Sequence, residues 1–418
     1  MAVVTTAACG TDDGGDAPAT TTGDITTGDT TTGDGRSDTP TEVADALRVP
    51  GDFATIQEAV DSADPGSLIL IAPGTYNESV SVETPDLTIR GEDRNTVILD
   101  GGDELENGIQ AFSNGTTVEN LTVHNYRGNG VLFSGSYGDD RVLDGFRASY
   151  VTVYNNGLYG VYAFAATNGQ IDHIYGSGHP DAAVYVGQCQ PCNTTVTDSV
   201  GELNAVGFQG TNAGGGLIVA TSQWSRNRVG VQSISSTKEK IYPQRDADFV
   251  ANLVDANNGD GAPQATEGFG AGITVSGGQA NRIERNVVTG HVGVGIIVTS
   301  ADEFQPSDNE VRTNTLGTNG LDLVFATADG QPLGNCFVGN TFASSSPVDI
   351  EAVFPCDPSA SGGTGTLPRT APPPNVDYRT IAAPPPQDQM PAADRAPTTP
   401  ARSPLSLDLA TLVAPVPT

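Results

Sequence analysis

Short apolar runs alternate with small or polar breaks along this chain, and the alternation has a fixed period. A small residue followed by an apolar one recurs as Gly160-Val161, Ala183-Val184, Gly207-Phe208 and Gly230-Val231, so the apolar members lie 23, 24 and 23 residues apart. Within each unit the runs are rich in Val, Ile, Tyr and Phe and are broken by Gly and Asn, which is how strands and turns read. A fixed period of roughly two dozen residues marks a solenoid. Because the unit holds strands only, each period predicts one coil of a parallel β-helix whose inward side chains pack on the coils above and below. The pairs Gly108-Ile109 and Gly130-Val131 extend the series upstream, and Gly272-Ile273, Gly295-Ile296 and Gly320-Leu321 extend it downstream. Two wider steps, 30 residues from Val131 to Val161 and 42 from Val231 to Ile273, predict coils with inserted loops.

The polar positions between the runs carry a second pattern. Asn125, Asn129, Asn155, Asn156, Asn204, Asn227, Asn257, Asn258 and Asn319 sit shortly before these strands. Asn tolerates left-handed backbone angles and bonds locally, so stacked coils bring such residues into a ladder of side-chain amides. Their predicted role is scaffold. Upstream, Ile56, Ala59, Val60 and Ala63 fall on one face of a short helix, Thr55–Ala63, which Pro65-Gly66 stops. The runs Ser67–Ala72, Ser79–Val82, Leu87–Arg90 and Thr96–Leu99 read as strands. A solenoid exposes the edge of its terminal coil, and the helix is placed to cap it. Insertions follow the Gly-led strand at Ser134–Arg141, Gly187–Cys192, Thr211–Gly215, Ser235–Arg245, Ala301–Ser307 and Ala326–Pro332. Insertions at equivalent points of a solenoid project from one side, which predicts a wall beside the Gly-led sheet and a binding groove along it.

Composition sets the ends apart from the middle. With 51 Gly and 28 Pro in 418 residues, the chain reads as one elongated domain, 49–356, between low-complexity termini. Residues 1–48 form an acidic Thr/Gly/Asp tether with too little apolar content to offset its ordering entropy. Residues 357–418 read as a Pro/Ala-rich disordered tail, although the closing SLDLATLVAPV holds enough apolar residues either to pack on the solenoid or to stay disordered. Thr6-Ala7-Ala8 before Cys9-Gly10 resembles the end of a bacterial lipoprotein signal, with Thr6 where that family has Leu, and marks Cys9 as a lipidation site. On that reading the rest of the signal lies upstream of Met1; the alternative is an ordinary exported tail. No stretch is long and apolar enough to span a bilayer, so a lipid anchor is the one membrane attachment expected.

A formal charge of −31, with Lys238 and Lys240 the only lysines, argues against nucleic acid, whose binding needs basic patches, and against adsorption to anionic lipid. It predicts an extracytoplasmic, monomeric protein with a solvated acidic coat, for which Ca²⁺ is the compatible cation. Beyond Cys9 the cysteines number an even four, Cys189, Cys192, Cys336 and Cys356, which reads as disulfides and an oxidising compartment. Nearest-neighbour pairing is expected. A metal half-site at Cys189-Gln190-Pro191-Cys192, completed by His173 and His179, and a redox role remain the alternatives.

The segments ATIQEAVDSA, LILIAPGTYNESV and LTIRG resemble the opening of the pectin-lyase-like superfamily, and the likeness extends over roughly 49–356. It implies an all-β, single-stranded right-handed parallel β-helix and is nearest to the bacterial right-handed β-helix repeat proteins. Gly74-Thr75-Tyr76-Asn77-Glu78 is similar to the G-x-Y-x-E element of pectin methylesterases, but the later motifs of those enzymes are absent. Asp139-Asp140 and Gly178-His179-Pro180 are only fragments of the polygalacturonase set.

Candidate chemistry clusters on the loops. Ser235–Asp248 holds Lys238, Glu239, Lys240, Tyr242 and Arg245. In β-helix lyases and epimerases a basic or phenolic group takes a proton beside a carboxylate that a cation neutralises. Lys240, Tyr242 and Arg245 are therefore catalytic candidates, with Lys238 and Glu239 as binding residues; the plain reading is a loop salt-bridged to nearby acids. Asp139 and Asp140 offer paired carboxylates for Ca²⁺ or acid–base work, or simply a turn. His173, next to Asp172, is a binding candidate or a satisfied core histidine. Tyr162 and Tyr185 each follow the repeat's apolar position and so occupy the other face of their strand. Outward, they form an aromatic strip for sugar rings; inward, they are core. Tyr137, Tyr159 and Trp224 are further candidates for exposed aromatics. Two functions follow: recognition of a polysaccharide or a structural role at the cell surface, or a lyase or epimerase acting on an acidic, uronate-containing glycan.

Overall fold

The computed structural model describes residues 46–136, 140–263, 268–368, 370–393 and 406–416; Cys9, Tyr137 and Asp139 lie outside them. Each central coil has three strands in parallel register with the coils on either side. The coil beginning at Val161 runs Val161–Phe164, Ala166–Asp172, Tyr175–Ser177, and the next runs Ala182–Cys189, Thr194–Thr197, Val200–Glu202. These form three faces: the Gly-led sheet, then a second and a third. The predicted column is present on the first face. Val131, Val161, Val184, Phe208, Val231, Ile273 and Ile296 are in direct register, and all are buried in the core. The column ends differently from the sequence expectation: Leu323, not Leu321, pairs with Ile296, while Leu321 pairs with Val294. Alternation decides this, because a shift of two residues keeps the inward face apolar.

The corners explain both polar patterns. Between the second and third faces the chain turns on single residues with left-handed backbone, among them Tyr150, His173, Asp198, Ala251 and Arg285. At that corner Asn252, Asn286, Asn314 and Asn340 form an amide ladder with Nδ2-to-Oδ1 bonds of 3.0, 2.9 and 2.9 Å. At the next corner the ladder runs Asn156, His179, Asn204, Asn227, Asn257, His291, Asn319. The glycine of the repeat belongs to this second ladder. A Cβ on Gly207 would lie 2.6 Å from the Gly230 carbonyl oxygen and 2.9 Å from Asn227 Nδ2, and one on Gly230 would lie 2.7 Å from Asn257 Nδ2. The Gly-apolar period and the Asn spacing are thus one constraint, a coil corner too narrow for a side chain. A third ladder, Gln244, Asn281, Asn309 and Asn335, lines the remaining corner.

The capping helix forms over Ile56–Ser62, with Thr55 as N-cap and Ile56, Ala59 and Val60 buried. The Glu78 carboxylate accepts from the Ile56 and Gln57 amides at 3.1 Å each, satisfying donors that a helix start leaves open. Glu78 of the G-x-Y-x-E element therefore has a structural task here. At the other end Phe354 packs at a tilt against Phe325 and Phe337, and the Cys336–Cys356 disulfide holds this closing segment. Cys189 and Cys192 are also disulfide-bonded to each other. Three expectations are corrected. Thr211–Gly215 is not a loop but part of the continuous strand Val206–Ala220. Trp224 is fully buried, against Phe208.

The third correction concerns the tail, whose described residues lie against the solenoid. Proline-rich backbone presents carbonyls without a matching set of N–H donors, and solenoid side chains supply the donors. Arg228 donates to Pro373 and Pro374 at 2.9 and 2.6 Å, Asn155 to Ile381 at 2.9 Å, Asn95 to Gln387 at 2.9 Å and Arg94 to Asp388 at 3.0 Å. Leu412 packs on Ala220, Val250 and Ala251 of the second face.

Candidate functional site

Strand alternation turns the residues after the core column outward. In register they are Leu132, Tyr162, Tyr185, Gln209, Gln232, Thr274 and Ile297. Tyr162 and Tyr185 face outward and stack, with ring centroids 4.7 Å apart at 21°. Tyr159, from the corner before them, adds its ring at 4.6 and 5.0 Å from the two, and Phe164 stacks on Tyr162 at 5.8 Å. The result is an aromatic shelf on which Tyr159 and Tyr162 are half-buried and Tyr185 is covered.

The cover is Glu239. The Ser235–Arg245 loop folds back over the shelf and is pinned by Gln188, whose Oε1 accepts from the Lys240 and Ile241 amides at 3.1 Å each. Glu239 accepts from Gln188 Nε2 at 2.8 Å and Asn212 Nδ2 at 3.1 Å, and meets the Tyr185 hydroxyl at 3.4 Å. Burial pushes the Glu239 carboxyl up, against the pull of these bonds. Across the shelf, Tyr159 shares a hydrogen bond with Asp181, which burial also pushes up. Tyr162, Tyr185 and Glu239, singled out from sequence, are thus brought together. Asp181 was missed, because its partner Tyr159 lies in the preceding coil and only stacking brings them into contact.

The catalytic candidates do not converge. Lys240 pairs with Asp140 at 2.6 Å, Arg245 with its neighbour Asp246 at 2.7 Å, and Tyr242 packs on Phe304 at 5.4 Å. Lys238 is exposed near Asp302. This is the plain reading of the loop: each cation answers a nearby acid. His173 sits on another part of the coil, at the corner of the second and third faces. There it bonds Asp172 at 2.9 Å and stacks on Tyr150 at 4.2 Å. His179 belongs to the amide ladder, so neither histidine is a partner for Cys189 and Cys192. Among the described residues one group has metal-ligand proximity, Glu310 with Cys336 and Cys356, and its sulfurs are bonded to each other.

Beyond Gln232 the same outer face continues into a groove of about 1290 Å³. Ile234, Thr274, Ser276, Ile297 and Thr299 form its floor, Asp302 stands on one side, and Thr364–Pro368 of the tail contribute to its lining. The Thr364 hydroxyl donates to the Thr327 carbonyl at 2.6 Å and the Gly365 amide to that of Phe325 at 2.8 Å, fixing that segment. The insertion that widens the 42-residue step supplies Gly268 and Phe269.

The family profile described as right handed beta helix region matches residues 107–316. The chain belongs to this β-helix family. Among solved structures, this β-helix is similar to the A-module of Azotobacter vinelandii mannuronan C-5 epimerase AlgE6, with a TM-score of 0.51 and 13% identity over 72% of this chain and 97% of that one. The AlgE4 A-module of the same organism gives 0.47 and 12%, over 73% and 94%. An alginate lyase from Paenibacillus sp. str. FPU-7 gives 0.40 and 16%, over 69% and 96%. At these identities the likeness is one of fold. No curated protein matches the chain by sequence. No helix among the described residues is long and apolar enough to cross a membrane.

Proposed function

We propose that the protein recognises a polysaccharide laid along the outer face of the Gly-led sheet. The observation that carries this reading is the pair of half-buried rings Tyr159 and Tyr162, backed by the covered Tyr185 and continuous on one face with the groove beyond Gln232. Tyrosine offers an apolar ring face and a polar rim, which suits the two sides of a pyranose, and a long cleft with few placed polar groups suits a chain ligand. Calorimetry or a glycan array tests it. Tyr162→Ala should weaken binding at least about tenfold, as loss of an aromatic anchor does, whereas Tyr154→Ala on the third face should not. Absence of binding to any glycan would end the reading.

One observation favours an enzyme instead. Glu239 sits against Tyr185 with its carboxyl raised by burial, the kind of pairing acid–base chemistry uses. Unsaturated or inverted uronate product that disappears in Glu239→Gln would decide for a lyase or epimerase. Two disulfides fit an oxidising, extracytoplasmic setting, and the sequence before Cys9 supports a lipid anchor there. In cells, Cys9→Ser should move the protein from the membrane to the soluble fraction; retention on the membrane would refute the anchor.

A further inference from the structure

Near the N-terminal end of the solenoid, the second and third faces meet at a widened corner. Five residues, 92–96, join the strands Thr88–Gly91 and Val97–Asp100 there, where later coils turn at single left-handed residues such as Asn120 and Tyr150. The Asp93 carboxylate closes the turn, accepting from the Asn95 and Thr96 amides at 2.9 and 3.0 Å. Arg94 is buried, and its guanidinium donates to the Thr152 hydroxyl at 2.9 Å and the Val151 carbonyl at 3.1 Å. Asn120 is buried too, and its Nδ2 donates to the Gly91 carbonyl at 2.8 Å. Both side chains are thus fixed on the solenoid side, and their outer atoms bond the tail.

The tail is read mainly through its backbone. Asn95 pairs with both polar groups of Gln387, its Oδ1 accepting from the N–H at 2.8 Å and its Nδ2 donating to the C=O at 2.9 Å. Arg94 Nη1 donates to the Asp388 carbonyl at 3.0 Å, and Asn120 Oδ1 accepts from the Met390 amide at 3.0 Å. One tail side chain is read as well. Gln389 Oε1 accepts from the Arg94 backbone amide at 2.9 Å, and the same side chain hydrogen-bonds the Asp93 carboxylate. Glutamine meets both demands because it carries donor and acceptor on one group; glutamate would set like charges together. Three prolines, 384–386, lead into the segment and hold it extended without internal bonds, which lowers the ordering cost of binding. Ile381 and Ala393 are buried at its two ends, while residues 382–392 are half-buried or exposed. Polar bonds rather than apolar burial hold that stretch, and such stretches open locally at little cost.

From this arrangement we infer that the corner is a peptide-recognition site for an extended, proline-led segment carrying glutamine, and that the chain's own residues 381–393 occupy it as an exchangeable ligand. Peptide sites draw affinity from main-chain hydrogen bonds and specificity from individual side chains. Here Asn95, Arg94 and Asn120 supply the first, and the Asp93–Arg94 turn supplies the second by its grip on Gln389. The inference is independent of the glycan reading, because no residue of the tyrosine shelf or the groove takes part.

The test uses the full chain. Gln387→Pro removes the N–H that Asn95 accepts and should free the segment, seen as faster amide exchange at Met390 with the core column still protected. Gln389→Glu is a second release variant that leaves the tail backbone unchanged. A synthetic peptide of residues 381–393 in the native sequence is then titrated by calorimetry. It should bind either released chain at least about tenfold more tightly than the native chain, whose tethered copy competes at high local concentration. Adding Asn95→Ala to the released chain, or placing Gln389→Glu in the peptide, should each weaken that binding about tenfold, as the loss of two net hydrogen bonds does. No binding to a released chain, equal binding of a scrambled peptide, or binding indifferent to both changes would overturn the inference. So would a Met390 amide that stays as protected in both release variants as in the native chain, because the observed pairings would then not be what holds the segment.

Discussion

At pH 4 the solenoid should be several kcal/mol less stable than at pH 7, and replacing His179 and His291 together by Asn should remove a large share of that loss. Both histidines stand in an amide ladder. Each Nδ1 faces an Asn Oδ1 at 2.8 Å, and each Nε2 faces an Asn Nδ2, at 3.3 Å for His179 and 3.1 Å for His291. The ladder fixes the tautomer: Nδ1 carries the proton and Nε2 must accept. A second proton on Nε2 would point at an Asn N–H, inside a fully buried corner. Burial accordingly lowers both rings from 6.5 to about 4, with the Asn204 and Asn319 bonds opposing. A depressed folded value means that the unfolded chain binds the extra proton first. The stability is therefore whole above pH 6.5 and drains away as pH falls toward 4. At about 1.4 kcal/mol per unit, each ring accounts for something on the order of 3 kcal/mol. Urea unfolding followed by circular dichroism at pH 7, 5.5 and 4.5 measures it. Should the double Asn variant lose as much stability on acidification as the native chain, the ladder is not the acid-sensitive element.

That the ladder contained histidines was not legible in the sequence, and the reason is instructive. The period was visible because it is set by a narrow corner, where Gly207 and Gly230 leave no room for a Cβ and Asn227 and Asn257 fill the space. The same geometry accepts an imidazole, whose Nδ1 reproduces an amide donor, so His179 and His291 occupy ladder positions under another name. The ladder of Asn252, Asn286 and Asn314 went unread because only two residues separate its strands at each coil, too few to interrupt an apolar run. Contacts made by stacking or by the tail were hidden for a different reason: Arg90 and Ala393, or Asn155 and Ile381, are 303 and 226 residues apart. At the site, alternation placed Tyr162 and Tyr185 outward, but the burial of Tyr185 depends on the path of the 235–245 loop. That path also separates Lys240, Tyr242 and Arg245, whose closeness in sequence had suggested a shared task.

Glu119→Leu should cost about 3–5 kcal/mol, far more than an ordinary surface substitution, because it removes one half of a buried, hydrogen-bonded ion pair. The Arg90 and Glu119 side chains are fully buried on the second face and meet at 2.6 Å, with Arg147 at 3.5 Å from the other carboxylate oxygen. Neither guanidinium can shed its charge, since an arginine stays protonated at any pH the fold survives. Removing the carboxylate takes away the counter-charge that the buried Arg90 shares with the part-buried Arg147, which keeps Asp172 at 3.7 Å. Removing the pair tells a different story: Arg90→Met with Glu119→Leu should cost far less than the single change, because desolvation and attraction in a buried pair nearly cancel. A double-mutant cycle in guanidinium chloride separates the two. The pair also reaches the tail, since Arg90 donates to the Ala393 carbonyl at 3.2 Å. Its loss in the double variant should therefore raise amide exchange around Met390, whose N–H is otherwise held by Asn120 Oδ1 at 3.0 Å, while leaving the core column protected. A single variant within about 1 kcal/mol of the native chain would mean that the tail and its surroundings relax enough to readmit water, and the charge pair would then be a fastening for the tail rather than a support of the fold.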